Sequence, residues 1–214
     1  RLRGRRRTER VGDGVVATPL AEGAEQVGVG RRDEVGQVGH ALNTLLDNVE
    51  KALASIVGAT RAILVEQGWE AVSMRTIAAA LGITAPSLYK HVKNKDALAA
   101  LLITDGLLAM GTGLHAAIAR DPSPAALLPA YRRLALGDPE VYRLATSGPL
   151  DRDALPDGLE EWAGSPFFLV TGDPHRAQAL WACAHGMAIL EVDGRFPDPR
   201  ELDSTWEAAA RQSA

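Results

Sequence analysis

The feature of this sequence that most constrains its fold is an aspartate followed by a proline, which recurs four times beyond residue 120. Aspartate is a preferred N-cap residue, and proline suits the first helical position because the N–H that it lacks would have no partner there. The pairs occupy residues 121–122, 138–139, 173–174 and 198–199. Only FFLVT, at residues 167–171, would suit a strand, and it would have no partner strand. The pattern predicts an all-α fold.

A long apolar stripe precedes these segments. Apolar residues recur at spacings of three and four from Leu42 to Leu64, which places them on one face of a helix. Gly68 follows the stripe, and glycine readily adopts the left-handed conformation in which many helices end. The pattern predicts a helix that begins between Ala41 and Leu53 and ends near Gly68.

Two short helices are predicted next, joined by the residues GIT at positions 82–84. Ser73 and Thr84 are suited to cap them, and Gly82 ends the first. The inward positions follow helical spacing and are Met74, Ile77, Ala78 and Leu81 in the first helix, and Ala85, Leu88 and Val92 in the second. These proportions match a helix-turn-helix, with Asn94 as the cap of a longer helix after it. We expect a three-helix domain at residues 41–97 and a helical bundle at residues 98–214.

Charge is unevenly distributed along the chain. The formal net charge is −4, yet residues 73–96 contain four basic residues and one acidic residue, whereas residues 121–214 contain eight basic and fifteen acidic residues. A basic segment beside an acidic remainder predicts a polyanionic partner for the helix-turn-helix alone.

The outward side of the second short helix carries small polar and basic side chains that suit the major groove of DNA. Lys90 can donate to guanine O6 and N7, and Ser87 can pair with several base edges. Ala85 and Pro86 could meet a thymine methyl group. The surrounding residues that suit phosphate contacts are Ser73, Arg75, Thr84, Tyr89, His91 and Lys95. The alternative is an ordinary solvated face on a helical hairpin; the coincidence of the motif, the basic patch and the small outward residues favours DNA.

At these residues the sequence resembles a known family. The segment AVSMRTIAAALGITAPSLYKHVKNKDALAALL, residues 71–102, resembles the DNA-binding domain of TetR-family transcriptional regulators. The segment LWACAHGMAILEVDGRF, residues 180–196, is similar to the Trp…His-Gly signature of the WHG-type C-terminal domain of one TetR subgroup. Residues 131–145, YRRLALGDPEVYRLA, resemble an earlier part of that domain.

The resemblance implies a homodimer that binds a palindromic double-stranded DNA operator. Carried over by position, phosphates would be held by Ser73, Arg75, Tyr89, His91 and Lys95, and the residues nearest the bases would be Thr84, Ala85, Pro86, Ser87 and Lys90. It further implies a repressor that a small molecule releases from DNA. An activator or an effector-independent DNA-binding protein of the same fold remains the alternative.

The C-terminal bundle, residues 98–214, is expected to enclose an apolar cavity for a small apolar or amphipathic effector. The residues expected near it are Leu107, Met110, Leu114, Phe167, Phe168, Trp181, His185 and Met187. Each has the alternative role of a plain core residue, above all Met110 and the two phenylalanines. By the family resemblance, the helix at residues 174–193 and the segment at residues 199–212 are the candidates for dimerisation.

Residues 1–40 differ from the rest of the chain. They are rich in Gly, Arg and Val, lack aromatic residues and show no sustained period, which is typical of a disordered or loosely attached arm. No methionine precedes Met74, so a wrongly chosen start site is the second interpretation of this segment. A basic arm that contacts DNA is the third interpretation.

Other classes of protein find little support in the sequence. The single cysteine, Cys183, excludes an internal disulfide framework, and with His185 two positions away it does not share a helical face for a metal. No Ser-His-Asp order or paired carboxylates indicate an enzyme, and no phosphate loop or cofactor motif is present. No secretory signal or uninterrupted apolar run of membrane length was found, so a cytoplasmic protein is expected. A protein-interaction module with a degenerate helix-turn-helix would lack the basic residues Arg75 and Lys90.

Overall fold

The computed structural model describes residues 34–213, and all regular secondary structure in this range is helical. The α-helices are α1 Glu34–Gln67, α2 Met74–Ala80, α3 Ala85–Leu88, α4 Lys95–Ile118, α5 Pro124–Gly137, α6 Pro139–Thr146, α7 Leu159–Thr171, α8 Pro174–Val192 and α9 Leu202–Gln212. Short 3-10 turns lie at Trp69–Ala71, Arg152–Ala154 and Pro199–Glu201. The all-α prediction is confirmed, and FFLVT forms the end of α7. The expectations for residues 1–33 lie outside the described range.

α1 begins earlier than the apolar stripe indicated. Its first residue is Glu34, so residues 34–40, which the composition placed in an arm, are helical. Hydrophobic periodicity reports only the part of a helix that has a face to bury, because the backbone hydrogen bonds themselves need no apolar side chains. A stretch rich in glycine and polar residues can therefore be helical without showing the pattern.

The apolar stripe of α1 differs in burial along its length. Contacts divide the chain between Asp47 and Asn48 into two units. On the first unit, Leu45 and Leu46 are exposed. On the second, Ile56 and Leu64 are almost completely buried. The spacing therefore predicts which residues share a face of α1, but not how far along the helix that face is covered.

Three of the four aspartate-proline pairs occupy the predicted cap position. A side-chain oxygen of Asp138, Asp173 or Asp198 accepts a hydrogen bond from a backbone N–H two or three residues later, and the next residue begins a helix or a 3-10 turn. The prediction for residues 121–122 was wrong. α5 begins instead after Ser123, whose Oγ accepts from the N–H of Ala126 at 3.3 Å. The sequence offers two adjacent cap-proline pairs there, and local preference does not choose between them.

The second unit, residues 48–213 of the described range, contains two clusters of buried apolar side chains. One joins α1, α2, α3 and the start of α4, and it includes Val141 of α6. The other joins the end of α4 to α5, α7, α8 and α9, with Tyr142 of α6 at its edge. α4 contributes Leu98 and Leu102 to the first and Leu114 to the second. The border expected between residues 97 and 98 therefore falls within one continuous helix.

α4 is long and apolar enough, by length and composition, to cross a membrane. The expectation that no segment has this property considered only uninterrupted apolar runs, whereas α4 contains a few interspersed polar residues. Its contacts with α5, α6 and α7 give another reason for its apolar character. Between residues 101 and 118 only Asp105, Ala109, Thr112 and Ala116 are exposed, and they form one narrow stripe. α4 is accordingly the central helix of the fold.

Candidate nucleic-acid interface and ligand cavity

α2 begins with a complete capping box. The Oγ of Ser73 accepts a hydrogen bond from the N–H of Thr76 at 3.1 Å, and the Oγ1 of Thr76 accepts one from the N–H of Ser73 at 3.0 Å. These reciprocal bonds satisfy donors that the first turn of a helix leaves free. The predicted cap position of Ser73 is confirmed. Its hydroxyl is already engaged in this cap, so its expected phosphate contact stays a prediction.

The turn between α2 and α3 depends on Gly82, whose φ of 65° lies in the left-handed region that favours glycine. Thr84 occupies the N-cap position of α3 as predicted, but its side chain caps no backbone N–H. Its hydroxyl lies 3.1 Å from the hydroxyl of Ser87 instead. α3 itself spans four residues, and backbone hydrogen bonds continue the helical turns as far as Val92.

The recognition segment, residues 84–92, has a clear inner and outer side. Leu88 and Val92 are almost completely buried and belong to the first apolar cluster. The exposed residues are Thr84, Pro86, Tyr89, Lys90 and His91, to which Arg75 of α2 adds a further exposed basic side chain. Ser87 is half-buried, and Ala85 is half-buried against the cluster, so Ala85 offers less outward surface than the sequence indicated. Most of the basic and polar side chains expected near DNA are therefore exposed, and their contacts with DNA stay a prediction.

Lys95 has partners within the protein that sequence reasoning missed. Its Nζ donates a hydrogen bond to the backbone oxygen of Trp69 at 2.7 Å and lies 4.8 Å from the centroid of the Trp69 ring. This contact joins the start of α4 to the turn after α1. A lysine ammonium has three donors, so the expected phosphate contact remains a prediction that the Trp69 contact does not preclude.

A cavity of about 450 Å³ lies among α4, α5, α6, α7 and α8. The residues expected at an effector site that line this cavity are Leu107, Met110, Leu114, Phe167, Phe168 and Trp181. Its walls are mostly apolar, and its size is within the range of small-molecule sites. Sequence reasoning missed the polar part of the wall, which includes Tyr131, Tyr142, Arg61, Asp138 and Glu160. No short-range pattern marks these residues, because four of them lie in different helices, α1, α5, α6 and α7, and Asp138 caps α6.

His185 and Met187 are not among the residues that line the cavity, so their expected place at an effector site stays a prediction. The Nδ1 of His185 lies 2.7 Å from the hydroxyl of Tyr142, and that hydroxyl lies 2.8 Å from the hydroxyl of Tyr131. The ring of His185 also stacks on Trp181 with centroids 5.8 Å apart. His185 is therefore a partner of the wall residues. Met187 packs against the second apolar cluster.

Burial keeps this chain of polar groups neutral. Desolvation lowers the pKa of His185 below its ordinary value and raises the pKa of Tyr131 to about 12. The pKa of Tyr142 is also raised, first by burial and then by the neighbouring Tyr131. A neutral imidazole can accept from Tyr142, and Tyr142 can accept from Tyr131. The hydroxyl protons of both tyrosines then have partners without any ligand.

An ion group connects α1 to the cavity wall. The guanidinium of Arg61 in α1 pairs with Asp105 of α4 and with Asp138, the residue that caps α6. Arg61 and Asp138 both line the cavity. The three residues are separated by 44 and 33 positions in the sequence, so no spacing rule could have found the group. Among residues 34–213, no set of three His, Cys, Asp or Glu side chains has a geometry suited to a metal ion.

The outer surfaces of the C-terminal helices differ in polarity. α7 and α8 leave Phe168, Leu169, Trp181 and Leu190 exposed, and we call these four the exposed α7/α8 residues. α9, in contrast, buries its apolar side, including Trp206, and carries mainly polar and charged residues on its exposed side. Of the two dimerisation candidates, the helix at residues 174–193 presents apolar surface, whereas the segment at residues 199–212 does not.

Comparisons with known proteins cover both parts of the chain. Residues 56–102 match the sequence profile of bacterial regulatory proteins of the tetR family, and residues 125–212 match that of the tetracyclin repressor-like C-terminal domain. An uncharacterised HTH-type transcriptional regulator of Mycobacterium tuberculosis is 26% identical over 175 residues, which cover 76% of this chain and 80% of the relative.

Solved structures share the fold. SCO4313, provisionally described as a regulatory protein, has a TM-score of 0.65 at 25% identity, over 78% of this chain and 97% of its own. A TetR/AcrR-family transcriptional regulator from Thermobifida fusca has a TM-score of 0.55 at 20% identity, over 76% and 96% of the two chains. The multidrug binding protein EbrR, solved with imidazole, has a TM-score of 0.57 at 22% identity, over 74% and 94%.

Proposed function

Because this chain belongs to the TetR family of helix-turn-helix transcriptional regulators, we propose that it is a repressor that binds a palindromic operator until a small molecule releases it. The observation that carries the proposal is the orientation of the recognition segment. Leu88 and Val92 hold its inner side in the protein core, which leaves the exposed Lys90 free to reach a base edge. Such a regulator would act in the cytoplasm, where its operator would lie.

The proposed contacts divide into two groups. Lys90 and Ser87, with Thr84 and Pro86 beside them, would read base edges in the major groove, where each base pair has its own pattern of donors and acceptors. The residues proposed to hold phosphates are Ser73, Arg75, Tyr89, His91 and Lys95. Phosphate contacts position the protein without reading sequence, so the two groups should differ in their response to mutation.

We expect Lys90→Ala to weaken operator binding by about 1–3 kcal/mol and to relax the preference at one or two base positions, since a lysine that pairs with guanine discriminates against other bases. Arg75→Ala is the matched control, because it removes one exposed positive charge from α2, the other helix of the motif. It should weaken all sequences alike and reduce the salt slope of binding by about one unit. Equal losses on cognate and scrambled DNA for Lys90→Ala would contradict its role as a base-reading residue.

A homodimer is proposed to form through α7 and α8, with some of the exposed α7/α8 residues in the contact. Exposed aromatic and aliphatic side chains of this kind are typical of a surface that a partner covers. Two-fold pairing would place two recognition segments on one side of the DNA, with half-sites roughly 34–36 Å apart. Phe168 and Trp181 line the cavity and are also among these exposed residues, so a partner that contacted them would cover part of the cavity wall.

Release by an effector is proposed to act through α4. This helix contributes to the core of the helix-turn-helix, to the second apolar cluster and to the cavity wall. A ligand that prefers a different arrangement of the cavity walls would shift the start of α4, and the recognition segments would no longer match the groove spacing. The ligand can act only as far as its affinities for the two arrangements differ.

Selection of DNA from a random pool by the purified full chain tests the function directly. We expect the retained sequences to share a palindrome of two half-sites. Retention of one asymmetric site would contradict the homodimer, and the absence of any enriched sequence would contradict the regulator. A reporter gene placed behind the selected operator separates repression, in which expression falls on addition of the protein, from activation.

A further inference from the structure

We propose that the effector is an apolar cation, such as a bulky amine or a quaternary ion, and that its positive charge pairs with Asp138 at the cavity wall. The inference rests on the proposed function of the cavity as an effector site. It starts from the ion group of Arg61, Asp105 and Asp138, in which one guanidinium is shared by two carboxylates. The group as a whole carries one excess negative charge.

The negative charge of the other acidic residue of the wall is balanced by a basic partner. Glu160 lies on the cavity lining, but Arg152 pairs with its carboxylate through two hydrogen bonds of 2.5 and 2.8 Å. Arg61 is the one basic residue among those that line the cavity, and it already has two acidic partners. The unbalanced charge of the ion group is therefore negative, and Asp138, whose side chain is about one quarter exposed, is the carboxylate of the group that lines the cavity.

The remaining wall suits the body of such a ligand. The aromatic residues that line the cavity are Tyr131, Tyr142, Phe167, Phe168 and Trp181. Aromatic faces attract cations within about 6 Å, and most strongly where water is excluded. With Nδ1 of His185 as an acceptor, the hydroxyl protons of both tyrosines can be used in the chain that ends at His185, so these groups do not require a hydrogen-bond acceptor from the ligand. A ligand with an apolar surface and a single positive charge therefore suits both the aromatic wall and the tyrosine hydroxyls.

If a cationic ligand replaced Arg61 as the partner of Asp138, every charge would still be paired. Arg61 would keep its ion pair with Asp105. The Oδ1 of Asp138 could still cap α6 by accepting from the N–H of Val141. An anionic ligand would have to compete with two carboxylates for Arg61 and would meet a wall of its own sign. The exchange also loosens the connection between Arg61 of α1 and the start of α6. Cation binding would therefore alter the support of the helix-turn-helix, which gives the effector a route to the DNA-binding surface.

The test uses two probes of nearly equal shape and opposite charge, tetraphenylphosphonium and tetraphenylborate. Binding to the full chain is measured by calorimetry and by the fluorescence of its tryptophans, because Trp181 lines the cavity. We expect tetraphenylphosphonium to bind at least about tenfold more tightly than tetraphenylborate, which corresponds to about 1.4 kcal/mol. Asp138→Asn should remove most of that preference while keeping the cap of α6, since asparagine caps helices as well as aspartate does.

Asp173→Asn is the matched control. Asp173 also precedes a proline and caps a helix, α8, but it does not line the cavity. This variant should bind both probes as the wild type does. Equal affinities of the wild type for the two probes, no binding of tetraphenylphosphonium, or an unchanged preference in Asp138→Asn would each overturn the inference. Selection of DNA by the unliganded chain is unaffected by these outcomes, so failure of the cation site and failure of the regulator function are distinguishable.

Discussion

Replacing Arg132 with methionine should lower the free energy of unfolding by about 2–4 kcal/mol, which makes it one of the two largest effects expected for a single substitution here. Arg132 of α5 donates hydrogen bonds of 2.7–3.0 Å to both carboxylate oxygens of Glu191 in α8, and it also pairs with Asp203 of α9. The Glu191 side chain is only 11% exposed, and its other partner is the indole N–H of Trp206 at 2.9 Å. Methionine preserves most of the side-chain volume but leaves the carboxylate without its counter-charge.

Urea denaturation monitored by circular dichroism measures this effect. The matched control is Arg200→Met, because Arg200 pairs with Asp198 at the surface and its side chain is 86% exposed. Exposed ion pairs contribute about 0–1 kcal/mol, so the control should unfold almost as the wild type does. Similar unfolding free energies for Arg132→Met and Arg200→Met would show that the partly buried pair does not connect α5, α8 and α9 in the way proposed.

Gly111→Ala should lower the free energy of unfolding by about 1–3 kcal/mol, although alanine is the better helix former. A Cβ at position 111 would clash with the ring of Trp162 in α7. That ring cannot simply turn away, because it stacks on His115 with centroids 5.2 Å apart. The clash would push α7 away from α4 and open the packing on one side of the cavity.

Gly58→Ala provides the comparison for this substitution. Gly58 lies in α1, and a Cβ there would meet no atom within 4 Å. The substitution should raise the unfolding free energy by up to about 1 kcal/mol through helix propensity alone. Thermal unfolding of the two variants should therefore shift in opposite directions. An unchanged or higher stability for Gly111→Ala would mean that α4 and α7 are less closely packed than the structure has them.

The helix-turn-helix was largely predictable because its signals act over a few residues. Ser73 and Gly82 bound α2 through local capping and a left-handed turn, and Leu88 and Val92 face inward at the spacing of one helical side. Local signals gave the wrong start of α5, where two adjacent cap-proline pairs compete and Ser123 is the actual cap. They also missed the first turns of α1 from Glu34, where the helix shows no apolar face.

The cavity was predictable only in part. Large apolar residues such as Leu107 and Trp181 could be assigned to the bundle interior from their type and spacing, and both line the cavity. Tyr131 and Tyr142 belong to segments that resembled the family, yet nothing in their neighbourhoods distinguished a wall position from a core position. His185 also belongs to a segment that resembled the family and was expected at the cavity. Its Nδ1 instead contacts the hydroxyl of Tyr142, and Tyr142 forms part of the wall.

What the sequence determined by itself was the helical character of the chain and the buried side of the helix-turn-helix, because capping and periodic burial depend on residues within one or two turns. Only the tertiary structure decided that Arg61 meets Asp105 and Asp138, and that the ring of Trp162 occupies the space a side chain at position 111 would fill. Those contacts join residues from different helices, and the packing of the whole bundle selects them. Local preferences do not specify which distant charge or ring a residue will contact.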